Sequence, residues 1–210
     1  MPSRRDVLAA AVGLATAGSV ASSGCLTALG AAETGFLSYK GIEVEWDDRG
    51  QRTSANLCWV WSDGRERVFG WVDQGYAEVV DAPADVRVSD AVDARLRWAF
   101  PGVTYELGFS RPGSDHDLLG GDWYVARATR REFNWVAFGD RAEVLFRFPR
   151  VHVLDVYRGA QGDPADWSHE VGTMDFEELY RDRDAVVPPT VGRAAGERTQ
   201  RSAYDPPGRD

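Results

Sequence analysis

The feature that most constrains the fold is a succession of short apolar segments between residues 36 and 159. They are rich in Val, Trp, Tyr and Phe, and turn-forming residues separate them roughly every 8–12 positions, a spacing typical of all-β domains. About ten such segments are too many for one flat open sheet in a chain of this size. The sequence therefore predicts an all-β domain built as a two-sheet sandwich, with at most one or two short helices.

Local signals place the individual elements. Apolar residues alternate with glutamates over residues 42–46, as in a half-buried strand, and residues 47–50 turn the chain. The clearest hairpin spans residues 95–109, where two alternating arms meet at Pro101-Gly102. Residues 83–94 are interpreted as a loop or short strand. Further elements are strands at 123–128, 133–138, 144–148 and 151–157 and one short helix at 173–180. The pattern suits an immunoglobulin-like or jelly-roll layout.

Composition and charge exclude several classes of protein. The formal net charge is −9, whereas a protein that binds duplex nucleic acid needs a basic face. Two cysteines in 210 residues are too few for a disulfide-stapled scaffold or a four-cysteine zinc site. No phosphate-binding loop, Gly-x-Ser-x-Gly or HExxH motif is present. We therefore predict no nucleic-acid partner, assign no cofactor and no catalytic residue, and leave open whether the protein is an enzyme.

The charged residues also indicate the medium. Of the 24 basic residues 23 are arginine, Lys40 is the only lysine, and aspartate outnumbers glutamate by 21 to 12. Carboxylates bind water and cations tightly, and at about 1 M salt a Debye length of about 3 Å makes self-repulsion weak. The composition resembles that of haloarchaeal proteins and suits a halophilic medium. A GC-rich genome that favours Arg and Asp codons is the alternative explanation.

The N-terminal region has the layout of an export signal. Arg4 and Arg5 precede an uncharged run, residues 7–32, built mostly from Ala, Gly, Val, Ser, Thr and Leu. The arginine pair resembles the twin-arginine export motif, and the Ser-Ser-Gly-Cys sequence that ends at Cys25 resembles a lipobox, in which the cysteine carries the lipid. The similarity to haloarchaeal twin-arginine lipoproteins is confined to about the first 26 residues and implies nothing about the remainder.

Two other outcomes remain open for this region. Cleavage near residues 30–32 would release a soluble protein, and an uncleaved run of about 20 residues would span a bilayer. All three alternatives place the mature chain outside the cytoplasm, and the lipid anchor would hold it at the outer face of the cytoplasmic membrane. We predict three regions, which are an export signal and anchor at 1–32, a β-sandwich domain at 33–187 and a disordered tail at 188–210.

The aromatic residues are the most informative candidates for a binding surface. Most of the eight tryptophans lie within predicted strands, where large rings fill the space between two sheets. Trp61, beside a turn, and Trp123, just after Gly120-Gly121, are the tryptophans that we expect to reach a surface and bind a ligand. A row of exposed, coplanar rings would indicate stacking on sugars, whereas a closed aromatic core would indicate a surface scaffold.

Two further groups of residues carry chemistry. Asp115, His116 and Asp117 lie in a glycine-flanked loop and have the ligand types for a divalent cation, although an acidic chain contains many such clusters by chance. Cys58 follows Leu57 in a predicted core strand. We expect Leu57 on the same face as Trp59, and Cys58 on the opposite face as a buried, unreactive thiol.

Two hypotheses follow from these observations. The first is an exported, lipid-anchored cell-surface protein that binds a surface protein or glycan, or organises the envelope, without catalysis. The alternative is a carbohydrate-active protein, either a binding module or a hydrolase, that uses exposed aromatic rings and carboxylates.

Overall fold

The computed structural model describes residues 32–64, 66–82, 85–111 and 123–181. The strands are β1 (Glu33–Asp48), β2 (Gln51–Ser62), β3 (Arg67–Asp73), β4 (Val80–Ala82), β5 (Asp85–Val86), β6 (Gly102–Ser110), β7 (Trp123–Ala128), β8 (Arg141–Arg147), β9 (Arg150–Tyr157) and β10 (Ser168–Met174). The helices are α1 (Asp90–Ala99), α2 (Arg130–Trp135) and α3 (Phe176–Arg181), with 3-10 segments at Gln74–Val79 and Pro164–Asp166. The predicted all-β class is confirmed, since the described strands form sheets of eight and two and the helices are few and short.

The larger sheet curls on itself. Its strand order is β10-β3-β2-β1-β6-β7-β9-β8, and residues 33–36 of β1 also pair with β8. Strands β1, β6, β7, β9 and β8 therefore close a ring, and β2, β3 and β10 extend the sheet beyond it. Most neighbours are antiparallel, whereas β10 with β3 and β7 with β9 are parallel. β4 and β5 form the second, two-stranded sheet.

The core lies on the concave side of this sheet. Trp46 of β1 is 1% exposed and packs edge-on against Phe176 and Tyr180 of α3, with ring centroids 5.7 and 5.6 Å apart. Leu96 of α1 and Phe133 of α2 are also buried, so all three helices cover the core. No helix in the described part of the chain has the length and apolar character needed to cross a membrane.

The β1–β2 turn follows directly from its sequence. Arg49 and Gly50 have φ values of 55° and 84°, and a two-residue type I′ hairpin requires positive φ at both central positions. Gly50 adopts such a value without steric cost, and its backbone N–H donates to Asp47 Oδ1 at 2.8 Å. The turn predicted at residues 47–50 is therefore confirmed.

The hairpin predicted at residues 95–109 is wrong in its first arm, which belongs to α1. Ser89 caps this helix, because its hydroxyl accepts a hydrogen bond from the Val92 N–H at 3.2 Å. Val92 and Leu96 are buried one helical turn apart. The alternation before Pro101 therefore does not mark a strand: Leu96 and Phe100, four positions apart, are buried, and Trp98 between them is exposed. The second arm alone is a strand, β6.

Two other helices depart from the sequence prediction. The strand predicted at 133–138 is replaced by α2, which begins with a reciprocal capping box between Thr129 and Glu132. The helix predicted at 173–180 is confirmed with a later start, as α3, because β10 continues to Met174. The buried carboxylate of Asp73 accepts a hydrogen bond from the Phe176 N–H at 2.9 Å and so ties the start of α3 to the end of β3.

Candidate functional site

The convex side of the sheet carries a group of large aromatic side chains. We call the surface formed by Tyr39, Trp59, Trp61, Phe69 and Trp71 the aromatic face. Trp59 pairs across the strands with Trp71 on one side and with Gly41 on the other. Tyr39 is buried, and the other four side chains are half-buried, so they are more accessible than the core residues that alternate with them.

A β-bulge sets the phase of the aromatic face. The β1–β2 register shifts between the pairs Ile42–Cys58 and Glu43–Asn56, which leaves Leu57 as the extra residue. Leu57 and Cys58 are each 1% exposed, so both are buried. The expectation that Leu57 shares a face with Trp59 is therefore wrong. The prediction that Cys58 is a buried thiol is confirmed, and burial raises the pKa of the Cys58 thiol to about 12.

A polar cluster lies beside these rings. A Cβ atom at Gly41 would collide with the Tyr39 ring, so glycine is what allows that ring to lie along β1. The Tyr39 hydroxyl donates to Glu106 Oε2 at 3.2 Å and accepts from Asn56 Nδ2 at 3.3 Å. Glu106 comes from β6, which is β1's neighbour on the other side. The cluster therefore joins three adjacent strands.

The cluster is rich in hydrogen-bond acceptors. Burial raises the pKa of the Glu106 carboxyl, the charge of Glu43 raises it further, and the hydrogen bond from Tyr39 opposes both. Burial is also the largest cause of the raised pKa of the Tyr39 phenol, which keeps that hydroxyl protonated as a donor. Asn56 Oδ1 is buried and accepts no hydrogen bond from a described residue. The arrangement suits a ligand that brings hydroxyl or amine donors.

The described rings do not form the coplanar row that stacking on a sugar polymer would favour. Trp59 and Trp71 are inclined by 60° with centroids 6.5 Å apart, and Tyr39 and Trp61 are inclined by 52° at 4.5 Å. These are the tilted contacts that aromatic rings adopt when they pack against one another. Trp61, one of the two predicted ligand-binding tryptophans, lies in this layer rather than standing clear of it.

Among the tryptophans whose side chains the structure describes, the two with the largest exposed fractions are not the one expected, Trp61. Trp98 is 76% exposed on α1, and Trp135 is 37% exposed at the end of α2. Both are placed in strands by the sequence analysis. In a helix, a residue two positions after a buried one points to the opposite side, so helical spacing from Leu96 and Phe133 is the signal that predicts their exposure. β7 begins at Trp123, the other predicted ligand-binding residue, but its side chain lies outside the described part of the structure.

The single lysine occupies the opposite, core side of β1. Lys40 is 0% exposed; its Nζ donates to the Val86 carbonyl at 2.7 Å and stands 4.5 Å from the centroid of the Phe133 ring. Burial lowers the pKa of Lys40 to about 7, although the carboxylate of Asp85 opposes the shift. An amine with such a pKa is a good nucleophile, but this one is enclosed by the core and we assign it a structural role.

An open groove of about 400 Å³ lies on α2, lined by Arg130, Arg131, Asn134 and Trp135. Two of these residues already have structural partners. Arg130 is paired with Asp90, and the Asn134 amide makes two hydrogen bonds with the backbone of Val88, each of 2.8 Å. The groove is therefore mainly a consequence of how α2 is attached.

The remaining predicted site residues lie outside the described part of the chain. These are Arg4 and Arg5, Cys25, and the possible metal ligands Asp115, His116 and Asp117. Within the described residues, no group of three or more His, Cys, Asp or Glu side chains is arranged to hold a metal ion. Comparisons with protein-family models, curated proteins and solved structures find no match for this chain.

Proposed function

We propose that the chain is an exported, lipid-anchored protein and that its all-β domain has a non-enzymatic binding or envelope-organising role at the outer face of the cytoplasmic membrane. The observation that carries this proposal is the order of its parts. Arg4-Arg5, an uncharged run and Cys25 precede a folded domain whose first strand begins at Glu33. Only eight positions separate Cys25 from β1, so a lipid on that cysteine would keep the domain close to the membrane.

The charged residues at the surface support the proposal that the protein works at high salt concentration. Because Lys40 is the only lysine and is buried, the protein exposes no lysine at all. Its surface cations are arginines, several of which pair with carboxylates, as Arg67 does with Glu170 at 3.0 Å and Arg97 with Asp93 at 2.9 Å. The planar guanidinium pairs with a carboxylate at short range, where salt screens least.

The anchor is tested by replacing the cysteine that would carry it. Cys25→Ser should move the protein from the membrane fraction to the medium, because no acyl chain would remain to hold it. Cys58→Ala is the matched control, since it removes the buried thiol and should leave the partitioning unchanged. A Cys25→Ser chain that stays in the membrane fraction would show that lipidation is not what retains the protein.

Carbohydrate binding is the second candidate. It is favoured by Asn56 Oδ1, which accepts no hydrogen bond from a described residue, and by the carboxylates of Glu43 and Glu106. Gly41, which pairs with Glu106 on one side, pairs with the half-buried Trp59 on the other. Acceptors next to an aromatic ring suit sugar hydroxyls and the apolar face of a pyranose. Titration with neutral and acidic oligosaccharides should show a loss of about tenfold or more in affinity for Trp59→Ala. Trp98→Ala, at an exposed ring on α1, is the control, and equal effects of the two changes would contradict binding at the aromatic face.

A further inference from the structure

The β8–β9 turn presents an exposed aromatic ring between two arginines. Phe148 is 93% exposed, the highest value among the large hydrophobic side chains of the described residues. Arg147, Pro149 and Arg150 are also exposed. We call residues 147–150 the β8–β9 tip. Its backbone is held in place, because the Pro149 carbonyl accepts a hydrogen bond from the Arg127 N–H at 2.8 Å.

The β8–β9 tip continues an aromatic cluster. Two positions before Phe148, Phe146 packs against Phe109 and Tyr124, with ring centroids 6.4 and 5.6 Å away. Phe109 is 2% exposed and Tyr124 is 44% exposed, so the cluster extends from the core to the surface. A single exposed apolar residue needs no explanation, but Phe148 stands on an anchored turn two positions beyond a cluster that also exposes Tyr124.

The charge of the β8–β9 tip is opposite to that of the protein as a whole. The chain has a formal charge of −9, yet Arg147 and Arg150 lie on either side of Phe148. Neither arginine forms a salt bridge within 4.0 Å in the described part of the chain. A pair of unneutralised guanidinium groups flanking an apolar ring is complementary to a surface of phosphate groups over hydrocarbon.

The register of β1 places the β8–β9 tip at the end of the domain where the chain enters. β1 and β8 are antiparallel: Glu33 pairs with Val144, and Phe36 pairs with Arg141. Residues that follow Val144 along β8 therefore continue past Glu33, away from the rest of β1. The start of β1 and the tip therefore lie at the same end of the sheet. Phe148 is only four positions beyond Val144, a distance of about 13 Å along a strand.

The chain that joins Cys25 to this end of the domain is short. Eight positions separate Cys25 from Glu33, and a fully extended chain of that length spans at most about 28 Å. A lipid on Cys25 would therefore hold the same end of the domain, and the β8–β9 tip with it, near the bilayer. The β1–β2 turn at Arg49–Gly50 lies at the other end of β1 and would point away.

We propose that the β8–β9 tip is a second membrane contact, in which Phe148 enters the interfacial layer of the bilayer while Arg147 and Arg150 bind the phosphates of anionic headgroups. The contact fixes the orientation of the domain and presents its far end outward. The proposal rests on the proposed lipid anchor for the position of the domain, but the contact itself can be measured without relying on cellular lipidation.

The experiment attaches the full chain to vesicles by joining Cys25 chemically to a maleimide-bearing phospholipid. Cys58 does not compete, because it is buried and its pKa is raised to about 12. An environment-sensitive fluorescent amino acid replaces Phe148 in one chain and Gln51, an exposed residue beside the β1–β2 turn, in the control chain. Emission is compared on phosphatidylglycerol and phosphatidylcholine vesicles, at low salt and in molar salt.

On phosphatidylglycerol we expect a blue shift at position 148 and none at position 51. The shift should persist in molar salt, because burial of an apolar group is not screened. Arg147→Gln with Arg150→Gln should reduce the ratio of inserted to free tip at low salt by about fivefold for each arginine. Both residues are exposed, so an unchanged thermal melting curve should show that the pair of changes leaves the fold intact.

Three results would overturn the proposal. They are no shift at position 148, an equal shift at position 51, or an equal response on phosphatidylcholine with no effect of the arginine changes. A tip that instead docks on a protein or on a second copy of the chain would give the first result. Since the lipid is attached in vitro, failure here is distinct from failure of the anchor, which the partitioning of Cys25→Ser in cells reports.

Discussion

The two sides of β1 deal with polar groups in opposite ways. On the core side, Lys40 is completely enclosed and has one carbonyl and one aromatic ring as partners. On the convex side, Tyr39 links Asn56 and Glu106 in a hydrogen-bonded cluster that stays close to solvent. One strand therefore carries an isolated, strongly desolvated amine on one face and a connected acceptor cluster on the other.

The difference shows how the two sides satisfy their polar groups. Burial disfavours the charged amine, which is why the pKa of Lys40 falls to about 7 although the Asp85 carboxylate opposes the shift. The groups on the convex side are instead joined by hydrogen bonds, and the buried Asn56 Oδ1 accepts no hydrogen bond from a described residue. Changes on the core side should therefore alter stability more than changes on the convex side.

The largest effect is expected for Lys40→Met, which keeps the volume but removes the amine. The pKa of Lys40 is lower in the folded protein, so the unfolded chain binds more protons between about pH 7 and pH 10.4. The free energy of unfolding of the native chain should rise with pH through that window, by up to about 1.4 kcal/mol per pH unit relative to the variant. Denaturant unfolding of both chains from pH 6.5 to 9.5 measures this difference.

Only the difference between the two chains is diagnostic. Cys58 and Tyr39 have raised pKa values in the folded state, so each lowers stability at alkaline pH, and both remain in the variant. Asp85 and Arg87 also act on Lys40. Arg87→Gln, at an exposed cation, is the matched control and should leave most of the slope intact. Parallel curves for the native and Lys40→Met chains would mean that the amine stays protonated in the core.

A smaller effect, a loss of stability, is expected for Gly41→Ala on the convex side. The added methyl group would collide with the Tyr39 ring, so the ring must move and its hydrogen bonds to Glu106 and Asn56 must lengthen or break. Overpacking of this kind costs about 1–3 kcal/mol. Gly50→Ala is the comparison, because there the strain is in the backbone and not in a collision: φ is 84°, and no atom lies within 4 Å of the added methyl group. Thermal unfolding of Tyr39→Phe with and without Gly41→Ala would show whether the clash is with the hydroxyl.

The smallest effect is expected for Glu106→Gln, which keeps an oxygen for the Tyr39 hydroxyl and removes a charge. Because burial raises the folded pKa of Glu106, the native chain should lose stability as the pH rises through that folded value, and the variant should not. The group is half-exposed, so the difference should stay below about 1 kcal/mol. A clear destabilisation by the amide at neutral pH would show that the carboxylate is needed in its charged form.

The sequence predicted the elements that local chemistry decides. The β1–β2 turn depends on adjacent residues, and the Asp-Asp-Arg-Gly run at residues 47–50 was enough to place it. The strand at residues 42–46 followed from alternation alone, and so did the burial of Cys58. α1 was missed because Leu96, Trp98 and Phe100 alternate with period two while Val92 and Leu96 also satisfy the helical period. Only packing against the core chose between the two periods.

The polar cluster could not have been found in the same way. Tyr39, Asn56 and Glu106 come from three strands, and their separations of 17 and 67 positions carry no local signal. The capping box at Thr129 and Glu132 is the contrasting case. Its four-residue pattern lies within one segment of the sequence and predicts a helix where the sequence analysis places a strand. Pairing across strands is set by the global topology.

The sequence by itself determined the β-rich class, the acidic composition with a single lysine, and the order in which a signal-like region precedes the folded domain. These properties depend on composition and on residues that are neighbours along the chain, and contacts with distant segments change them little. The tertiary structure decided that β1 pairs with β8 as well as β6, that a bulge at Leu57 turns Trp59 and Trp61 onto the convex face, and that the β8–β9 tip lies at the end where the chain enters. Such facts follow from strand register, and register is fixed only when the whole sheet buries its core.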